Sequence, residues 1–282
     1  MTVLHSTTLA PMATSPAAAA GTPVRPLALV TGASGGIGAD IATLLSKRGH
    51  DLVLVARSRE KLAALAEKLE KADGISVTVL TADLTDPAAP DSIAKFVQDK
   101  GLTVDILVNN AGLGSYGPFA TIDTKTDLGL IALNITSLTH MSKLFLPGML
   151  ERKRGRILNV GSTAGFVPGP LMAVYYASKA YVLSLSVALA NEVAGSGVTV
   201  TCLCPGATKT SFDTVAGNDK TRLFKGGVME SMLVATAGVD AMMSGDVICI
   251  PGFLNRLKAS TSGLAPRTLL AKIARSYQEP AS

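Results

Sequence analysis

The 282-residue sequence predicts an α/β fold, in which a single doubly wound domain holds about seven parallel strands with helices on both faces. The first observation behind this prediction is the alternation of apolar, β-rich runs with amphipathic helical patterns from residue 26 onward. The second is that strand candidates such as 52–55 are continuously apolar, as expected when helices cover both faces of a parallel sheet. The third is a hydrophobic content of 48%, which is sufficient for a large core.

The predicted strands are short apolar runs at 26–31, 51–56, 76–81, 104–109, 156–161, 198–204 and 247–250. The predicted helices lie between them, at 36–49, 58–73, 87–101, 124–151 and 173–194. No linker interrupts this alternation, so 25–252 is interpreted as one domain, followed by a helical extension at 253–282. Residues 1–24 are rich in Ala, Thr and Pro without periodicity, which predicts a disordered tail.

Composition and charge argue against several classes of protein. The chain has no Trp and 4% aromatic residues, a composition unsuited to stacking on single-stranded nucleic acid. The five cations between Asp246 and Glu279 account for the whole net charge of +5, so the rest of the chain has equal numbers of positive and negative charges. A nucleic-acid partner is therefore not expected. No apolar run approaches the roughly 18 residues of a membrane-spanning helix, so an integral membrane protein is not expected.

The cysteines and histidines predict neither a disulfide framework nor a metal site. Cys202 and Cys204 lie two apart on a predicted strand and therefore face the same side, while Cys249 lies on another strand. We interpret all three as reduced core thiols of a cytoplasmic protein. The three histidines form no cluster with ligand spacing.

The extension at 253–282 contains a basic amphipathic helix candidate after Pro266. Its apolar residues cluster on one side, at Leu269, Leu270, Ile273 and Tyr277. Its cations lie opposite, at Arg267, Lys272 and Arg275. One interpretation is packing on the domain or on a partner subunit, and the alternative is peripheral contact of 264–277 with an anionic membrane.

A glycine-rich turn at 31–38 follows the first predicted strand and leads into a helix. Gly32, Gly36 and Gly38 permit a tight turn that brings backbone N–H groups close to a pyrophosphate, and the helix N-terminus adds its positive dipole end. This position at the first crossover is typical of a Rossmann-type dinucleotide site.

The end of the second predicted strand indicates which dinucleotide binds. An acid there selects NAD by binding the ribose 2′-hydroxyl, but this chain has Ala56 at that position, followed by Arg57. A guanidinium pairs with a 2′-phosphate, so the sequence favours NADP(H). Arg59 could share or replace Arg57 in binding the 2′-phosphate. The alternative interpretation is that Arg57 is only a solvated arginine at the start of a helix.

A tyrosine and a lysine lie four residues apart, at Tyr175 and Lys179, and therefore share a helical face. Tyrosine normally titrates near pH 10, and a nearby ammonium stabilises the phenolate and makes proton exchange easier at neutral pH. Ser162 follows a predicted parallel strand, at the carboxyl-end edge where open α/β sheets bind ligands.

Taken together, these motifs resemble the short-chain dehydrogenase/reductase family. The matching positions occur in the family's order, at 31–38, 109–112, Asn134, Ser162, Tyr175 with Lys179, and Pro205-Gly206 with Thr210. The resemblance covers about 25–210 of the chain and implies homodimers or homotetramers built through the long fourth and fifth helices.

The resemblance also implies a role for each matched residue. Tyr175 is the expected general acid or base, Ser162 the stabiliser of the substrate oxygen, and Lys179 the partner of both the nicotinamide ribose and the tyrosine. Asn134 is expected to hold a water in a proton relay. The residues expected at the cofactor are Thr31, Gly32, Ser34, Gly35, Gly36, Ile37, Gly38, Arg57, Asp83, Leu84, Asn110, Ala111, Gly112, Tyr175, Lys179, Pro205, Gly206, Thr208 and Thr210.

The function so implied is NADPH-dependent reduction of a carbonyl (a ketone, aldehyde or 3-oxoacyl group) to an alcohol. The loops at 113–119, 163–172 and 211–245 are expected to bind an apolar substrate through Phe166, Met172, Phe212, Met229, Met232, Met242 and Met243, although the methionines fit core packing equally well. The alternatives are a membrane-peripheral lipid or acyl reductase and a non-catalytic NADP(H)-binding sensor.

Overall fold

The structure is a computed structural model that describes residues 25–210, 212, 216–217, 221–222 and 227–279. The tail expected at 1–24 lies outside these residues. The main strands are β1 (Leu27–Thr31), β2 (Asp51–Ala56), β3 (Val77–Thr81), β4 (Val104–Asn109), β5 (Gly155–Val160), β6 (Val198–Leu203) and β9 (Ile248–Cys249). They form one parallel seven-stranded sheet in the order β3-β2-β1-β4-β5-β6-β9, and the predicted fold class is confirmed.

Helices cover both faces of this sheet. One face carries α1 (Gly36–Lys47), α2 (Arg59–Asp73) and α7 (Ser231–Ser244). The other face carries α3 (Ala89–Asp99), α5 (Leu138–Glu151) and α6 (Ala173–Glu192). A separate pair of two-residue strands, β7 (Thr208–Lys209) and β8 (Met229–Glu230), joins the loop after β6 to the start of α7.

The alternation of side chains along each strand fills two cores at once. In β1, Ala28 and Val30 pack towards α1 and α2, whereas Leu27 and Leu29 pack towards α3 and α5. All four are buried. A strand of this kind must be apolar at every position, which accounts for the continuous apolar runs in the sequence.

The helix predicted at 124–151 is divided into three parts. It begins as α4 (Thr124–Ile131), passes through a π-helical segment (Ala132–Ser137) and continues as α5. The predicted bounds are confirmed, because the three parts follow one another without a break, whereas the π-helical segment within them was not predicted. Insertions of π geometry concentrate at functional sites, and this one carries Asn134.

A chain of buried polar side chains crosses the middle of the sheet. The Asn109 amide donates to Asn159 Oδ1 at 2.9 Å and to Ser142 Oγ at 3.1 Å. The Asn159 amide donates to Ser186 Oγ at 2.9 Å. The two serines donate in turn to backbone carbonyls of α5 and α6, so the chain ties both helices to β4 and β5.

Helix α6 is long and apolar enough, by length and composition, to cross a membrane, contrary to the expectation that no apolar run approaches that length. It also carries Tyr175 and the buried Lys179. Because α6 packs along β5 and β6, its apolar residues serve as one layer of the α/β domain.

After β9 the chain forms α8 (Phe253–Thr261), a 3₁₀ turn and α9 (Arg267–Gln278). The end of α9 is fixed to the domain by Gln278, which is 1% exposed. Its side-chain amide donates to the Tyr176 hydroxyl at 2.7 Å, and its backbone carbonyl accepts from the Tyr116 hydroxyl at 2.7 Å. The extension is therefore fixed to the domain beside the helix that carries Tyr175.

Candidate active site

A cavity of about 910 Å³ lies along the carboxyl ends of the central strands. Its lining comes from the turn after β1, the ends of β2 and β3, the segments after β4, β5 and β6, the start of α6, and the two C-terminal helices. This edge, where the strand order reverses between β1 and β4, is the position at which doubly wound folds bind their ligands.

The glycine-rich turn forms one end of the cavity and depends on close contact with Asn110. Gly32 has a φ of +66°, and a Cβ added there would lie 2.7 Å from Asn110 Nδ2. A side chain at Gly38 would collide with the same amide and with the Gly32 carbonyl. Gly35 has open space where its side chain would be, so the turn presents bare backbone to the cavity.

Thr31 supports this turn from beneath and does not line the cavity. Its hydroxyl donates to the Val108 carbonyl at 3.1 Å and accepts from the backbone N–H groups of Asn110 and Ala111 at 3.0 and 3.1 Å. The Asn110 amide donates to the carbonyls of Thr31 and Gly32. These bonds fix the end of β1 against the end of β4.

At the ends of β2 and β3 the cavity wall is polar and carries cations. Arg57 and Asp83 line it as expected, together with Ser58, Lys61 and Thr85, which the sequence interpretation missed. Hydrogen bonds from Thr85, with the charge of Arg57, hold the pKa of Asp83 below its usual value against the opposing effect of burial. Lys61 lies in the first turn of α2, just past the end of β2, and this nearness to the end of the strand is the sequence signal that could have identified it.

Lys179 lines the cavity and is 6% exposed. Its Nζ donates to the Val160 carbonyl at 2.8 Å and lies 5.8 Å from the centre of the Tyr175 ring. Burial lowers the pKa of this ammonium to about 8. The ammonium of Lys179 is therefore held beside Tyr175, and it loses its proton at a pH close to the physiological range.

Asn134 is placed next to Lys179 but faces protein and does not line the cavity. Its Oδ1 accepts from Leu113 N–H at 2.9 Å, and its Nδ2 donates to the Leu113 carbonyl and to Ser178 Oγ. Ser178 Oγ donates to the Tyr175 carbonyl at 2.7 Å. Through Ser178, Asn134 is joined to the first turn of α6.

Gly112 lies close to both Asn134 and Lys179. A Cβ added at Gly112 would lie 3.4 Å from Asn134 Oδ1 and 3.7 Å from Lys179 Nζ. Both distances are ordinary van der Waals contacts, so a methyl group at this position would lie against the amide oxygen and close to the ammonium.

Ser162 and Tyr175 both line the cavity beside Lys179. The Ser162 hydroxyl accepts from Ala164 N–H at 3.1 Å, which begins a 3₁₀ turn, and lies 3.4 Å from the Pro205 carbonyl. The Tyr175 ring contacts the rings of Tyr176 and Phe212, with centroid distances of 6.1 and 5.6 Å. These contacts set the orientation of the tyrosine ring.

The apolar side of the cavity differs from the expectation at four methionines. Phe166, Met172 and Phe212 line it as expected. Met242, on α7, is fully buried in the core, Met229 and Met243 pack against the same core cluster, and Met232 is 38% exposed. Their places are taken by apolar residues of α9, namely Leu270, Ile273, Ala274 and Tyr277.

The structure brings most of the predicted site residues together in this cavity. The exceptions are Thr31, Gly38 and Asn134, which support the lining from behind. The residues that do line it are Gly32, Ser34, Gly35, Gly36, Ile37, Arg57, Asp83, Leu84, Asn110, Ala111, Gly112, Ser162, Tyr175, Lys179, Pro205, Gly206, Thr208 and Thr210. Among the residues that the structure describes, no group of three His, Cys, Asp or Glu side chains is placed to hold a metal ion.

Comparison with known families identifies the domain that carries this cavity. Residues 26–221 match the family described as short chain dehydrogenase. The chain is a short-chain dehydrogenase. As a member of this family it is an oxidoreductase that acts on CH–OH and C=O groups.

Named relatives of this short-chain dehydrogenase cover most of its length. It is 35% identical over 251 residues to 17-beta-hydroxysteroid dehydrogenase type 3 of Mus musculus, which spans 87% of this chain and 81% of that protein. It is 44% identical to the granaticin polyketide synthase putative ketoacyl reductase 1 of Streptomyces violaceoruber, over 67% of this chain and 70% of that protein.

A solved structure supports the same assignment. A short-chain dehydrogenase from Sphingobium yanoikuyae in complex with NADPH superimposes with a TM-score of 0.76 at 36% identity, covering 85% of this chain and 94% of that one. Residues past about 221, where the family match ends, include the helices α8 and α9, which contribute part of the cavity lining.

Proposed function

We propose that this short-chain dehydrogenase is an NADPH-dependent carbonyl reductase, which converts an apolar ketone, aldehyde or 3-oxoacyl group to an alcohol. The observation that carries the proposal is the convergence of Ser162, Tyr175 and Lys179 on the same cavity as the glycine-rich turn. The names of two relatives, a ketoacyl reductase and a very-long-chain 3-oxoacyl-CoA reductase, agree with this substrate class.

The residues around the cavity fit a dinucleotide. The turn at 32–37 offers unobstructed backbone and the N-terminus of α1 to a pyrophosphate. Arg57 and Lys61 offer two cations for a 2′-phosphate, and Asp83 lies next to them. When bound, the reduced nicotinamide supplies the hydride that the carbonyl carbon receives.

The side chains of this protein supply orientation and the proton. Ser162 holds the carbonyl oxygen through its hydroxyl and stabilises the negative charge that develops there. Tyr175 donates the phenolic proton to that oxygen, and the Lys179 ammonium beneath the ring stabilises the resulting phenolate. Asn134 holds the first turn of α6 in place through Ser178, which keeps Tyr175 in register with Ser162.

The proposal is tested by following loss of the reduced-nicotinamide absorbance with a panel of carbonyl compounds. The panel contains short aldehydes, aliphatic ketones, steroids and 3-oxoacyl thioesters. Turnover of at least one apolar member is expected. NADPH binding without turnover across the panel would contradict a reductase and favour the non-catalytic NADP(H) sensor.

Replacing Arg57 with alanine tests the cofactor choice. The variant is expected to lose about tenfold or more in affinity for NADPH, because a charge-assisted pair with the 2′-phosphate is removed. Its affinity for NADH should stay within about twofold, since NADH lacks that phosphate. Arg59→Ala is the matched control, because Arg59 is a neighbouring cation that does not line the cavity. Binding titrations with NADPH and with NADH measure the two affinities. If Arg57→Ala leaves the ratio of NADPH to NADH affinity unchanged, Arg57 does not bind the 2′-phosphate.

A membrane-peripheral lipid or acyl reductase is the second candidate, favoured by exposed apolar residues on the extension. Phe253, Leu254 and Leu264 are 77%, 67% and 86% exposed, in a stretch whose charged residues are all cations. We expect 264–277 to bind anionic vesicles and not neutral ones. Flotation with vesicles of each kind measures this, and equal recovery of Leu264→Ser and the unmodified protein contradicts it.

We also propose self-association through α5 and α6. These helices leave Leu150, Tyr181 and Val187 between 36% and 39% exposed, an apolar surface suited to a partner subunit. The mass in solution, measured by light scattering, decides between monomer and oligomer.

A further inference from the structure

The C-terminal helices α8 and α9 form one wall of the cavity, and a lysine lies at the solvent-exposed edge of this wall. Helix α9 is held against the domain by Gln278, so the residues before it have fixed positions. Leu270, Ile273 and Ala274 line the cavity from this helix, and all three are apolar. This wall is suited to a hydrocarbon part of a substrate.

At the outer end of this wall, Lys258 and Tyr277 lie together. Both line the cavity and are exposed to solvent, which places them at its rim. The Lys258 Nζ lies 5.4 Å from the centre of the Tyr277 ring. The ring supports the ammonium by a cation–π contact while leaving its N–H donors free to bind a ligand.

No carboxylate of the described residues forms an ion pair with Lys258. Between Asp246 and Glu279 the sequence has no acid. Glu279 is engaged by Arg222 and Arg275, at 3.8 and 3.9 Å. The rim therefore carries a positive charge that the neighbouring side chains leave uncompensated.

We infer that Lys258 is an anion-binding, specificity-determining residue, and that the substrate is an amphiphile with an apolar body and a carboxylate or phosphate remote from the reacting carbonyl. The apolar body lies along α9, and the anionic group reaches the ammonium at the rim. This inference rests on the proposed carbonyl reduction, which it narrows to substrates of one chemical class.

The test compares oxo-carboxylic acids of increasing chain length with their methyl esters, which differ only in the remote charge. Lys258→Met keeps the apolar stem and removes the charge. The variant is expected to lose about tenfold in kcat/KM for the acids of best-fitting length, a loss typical of a hydrogen bond to a charged group. For the esters the change should stay within about twofold.

Lys272→Met is the matched control, because Lys272 is an exposed cation on α9 that does not line the cavity. An equal loss with Lys272→Met, or an equal loss for acids and esters, overturns the inference. Weaker NADPH binding by Lys258→Met also overturns it, because Lys258 would then belong to the cofactor.

Failure of the proposed reduction itself is recognised separately, because the unmodified protein would then turn over neither acids nor esters. In that event calorimetry of the same acids, in the presence of NADP⁺, still decides the role of Lys258. Tenfold weaker binding of the acid by Lys258→Met supports the anion site. Equal binding by the variant and the unmodified protein overturns it.

Discussion

Replacing Tyr175 with phenylalanine is expected to lower kcat by about 10²–10⁴-fold, while NADPH affinity stays within about twofold. The substitution removes the phenolic proton and leaves the ring. Phenylalanine can keep the contacts with Tyr176 and Phe212, so the shape of the cavity is preserved. A loss of this size is then attributable to proton transfer.

The neighbouring tyrosine provides a matched control. Tyr176→Phe removes a hydroxyl that accepts from Gln278 and leaves the proposed proton donor intact. We expect its kcat to stay within about tenfold, because the contribution of one hydrogen bond sets the upper limit. Single-turnover reduction, measured alongside NADPH binding, distinguishes the two variants. Comparable kcat for Tyr175→Phe and the unmodified protein would rule out the tyrosine as the acid.

The second large effect is a loss of reductase activity as the pH rises through about 8. Burial lowers the pKa of Lys179 to about 8, so the ammonium is present below this pH and lost above it. Without its charge, the lysine no longer stabilises the Tyr175 phenolate. The kcat/KM for NADPH reports the free enzyme and should therefore fall on the alkaline side of about pH 8. Lys179→Met should have very low activity that lacks this pH dependence.

Stability should change with pH in the opposite direction. The folded state holds Lys179 at a pKa below that of the unfolded chain, so it binds fewer protons between about pH 8 and the ordinary lysine range near 10.4. The contribution of this lysine to the free energy of unfolding therefore rises through that interval, because the cost of burying the ammonium disappears. Denaturant titrations of the unmodified protein and Lys179→Met, compared at pH 7 and 9.5, isolate this contribution. A parallel pH dependence in the two proteins would contradict it.

The sheet and the glycine-rich turn could be predicted because their physical requirements are visible in single residues. A strand buried on both faces must be apolar throughout, and 52–55 meets that requirement. Gly32 adopts a φ of +66° against the Asn110 amide, a position that accepts no side chain. Requirements of this kind depend on a few neighbouring residues, so the sequence alone is sufficient to predict these two features.

The other features depend on long-range packing. Helix α9 has an apolar side that fits a core, a partner subunit or a membrane equally well, and its position is decided by contacts with residues distant in sequence, such as the hydrogen bonds of Gln278 with Tyr116 and Tyr176. The same reasoning applies to Met242, whose side chain fits a substrate pocket or a core. The π-helical segment at Asn134 has no sequence pattern that distinguishes it from regular helix.

The buried chain from Ser142 through Asn109 and Asn159 to Ser186 also restricts how this sheet can be assembled. Its bonds form only when β4 and β5 pair with Asn109 opposite Asn159, as they do here. Sliding one strand by a single residue would leave several amide and hydroxyl groups buried without partners, at about 1–3 kcal/mol each. An apolar core of the same shape would tolerate such a slip more easily. The network thus disfavours a shifted pairing of β4 and β5, and it fixes the register that brings Asn110 and Ser162 to the same edge of the sheet.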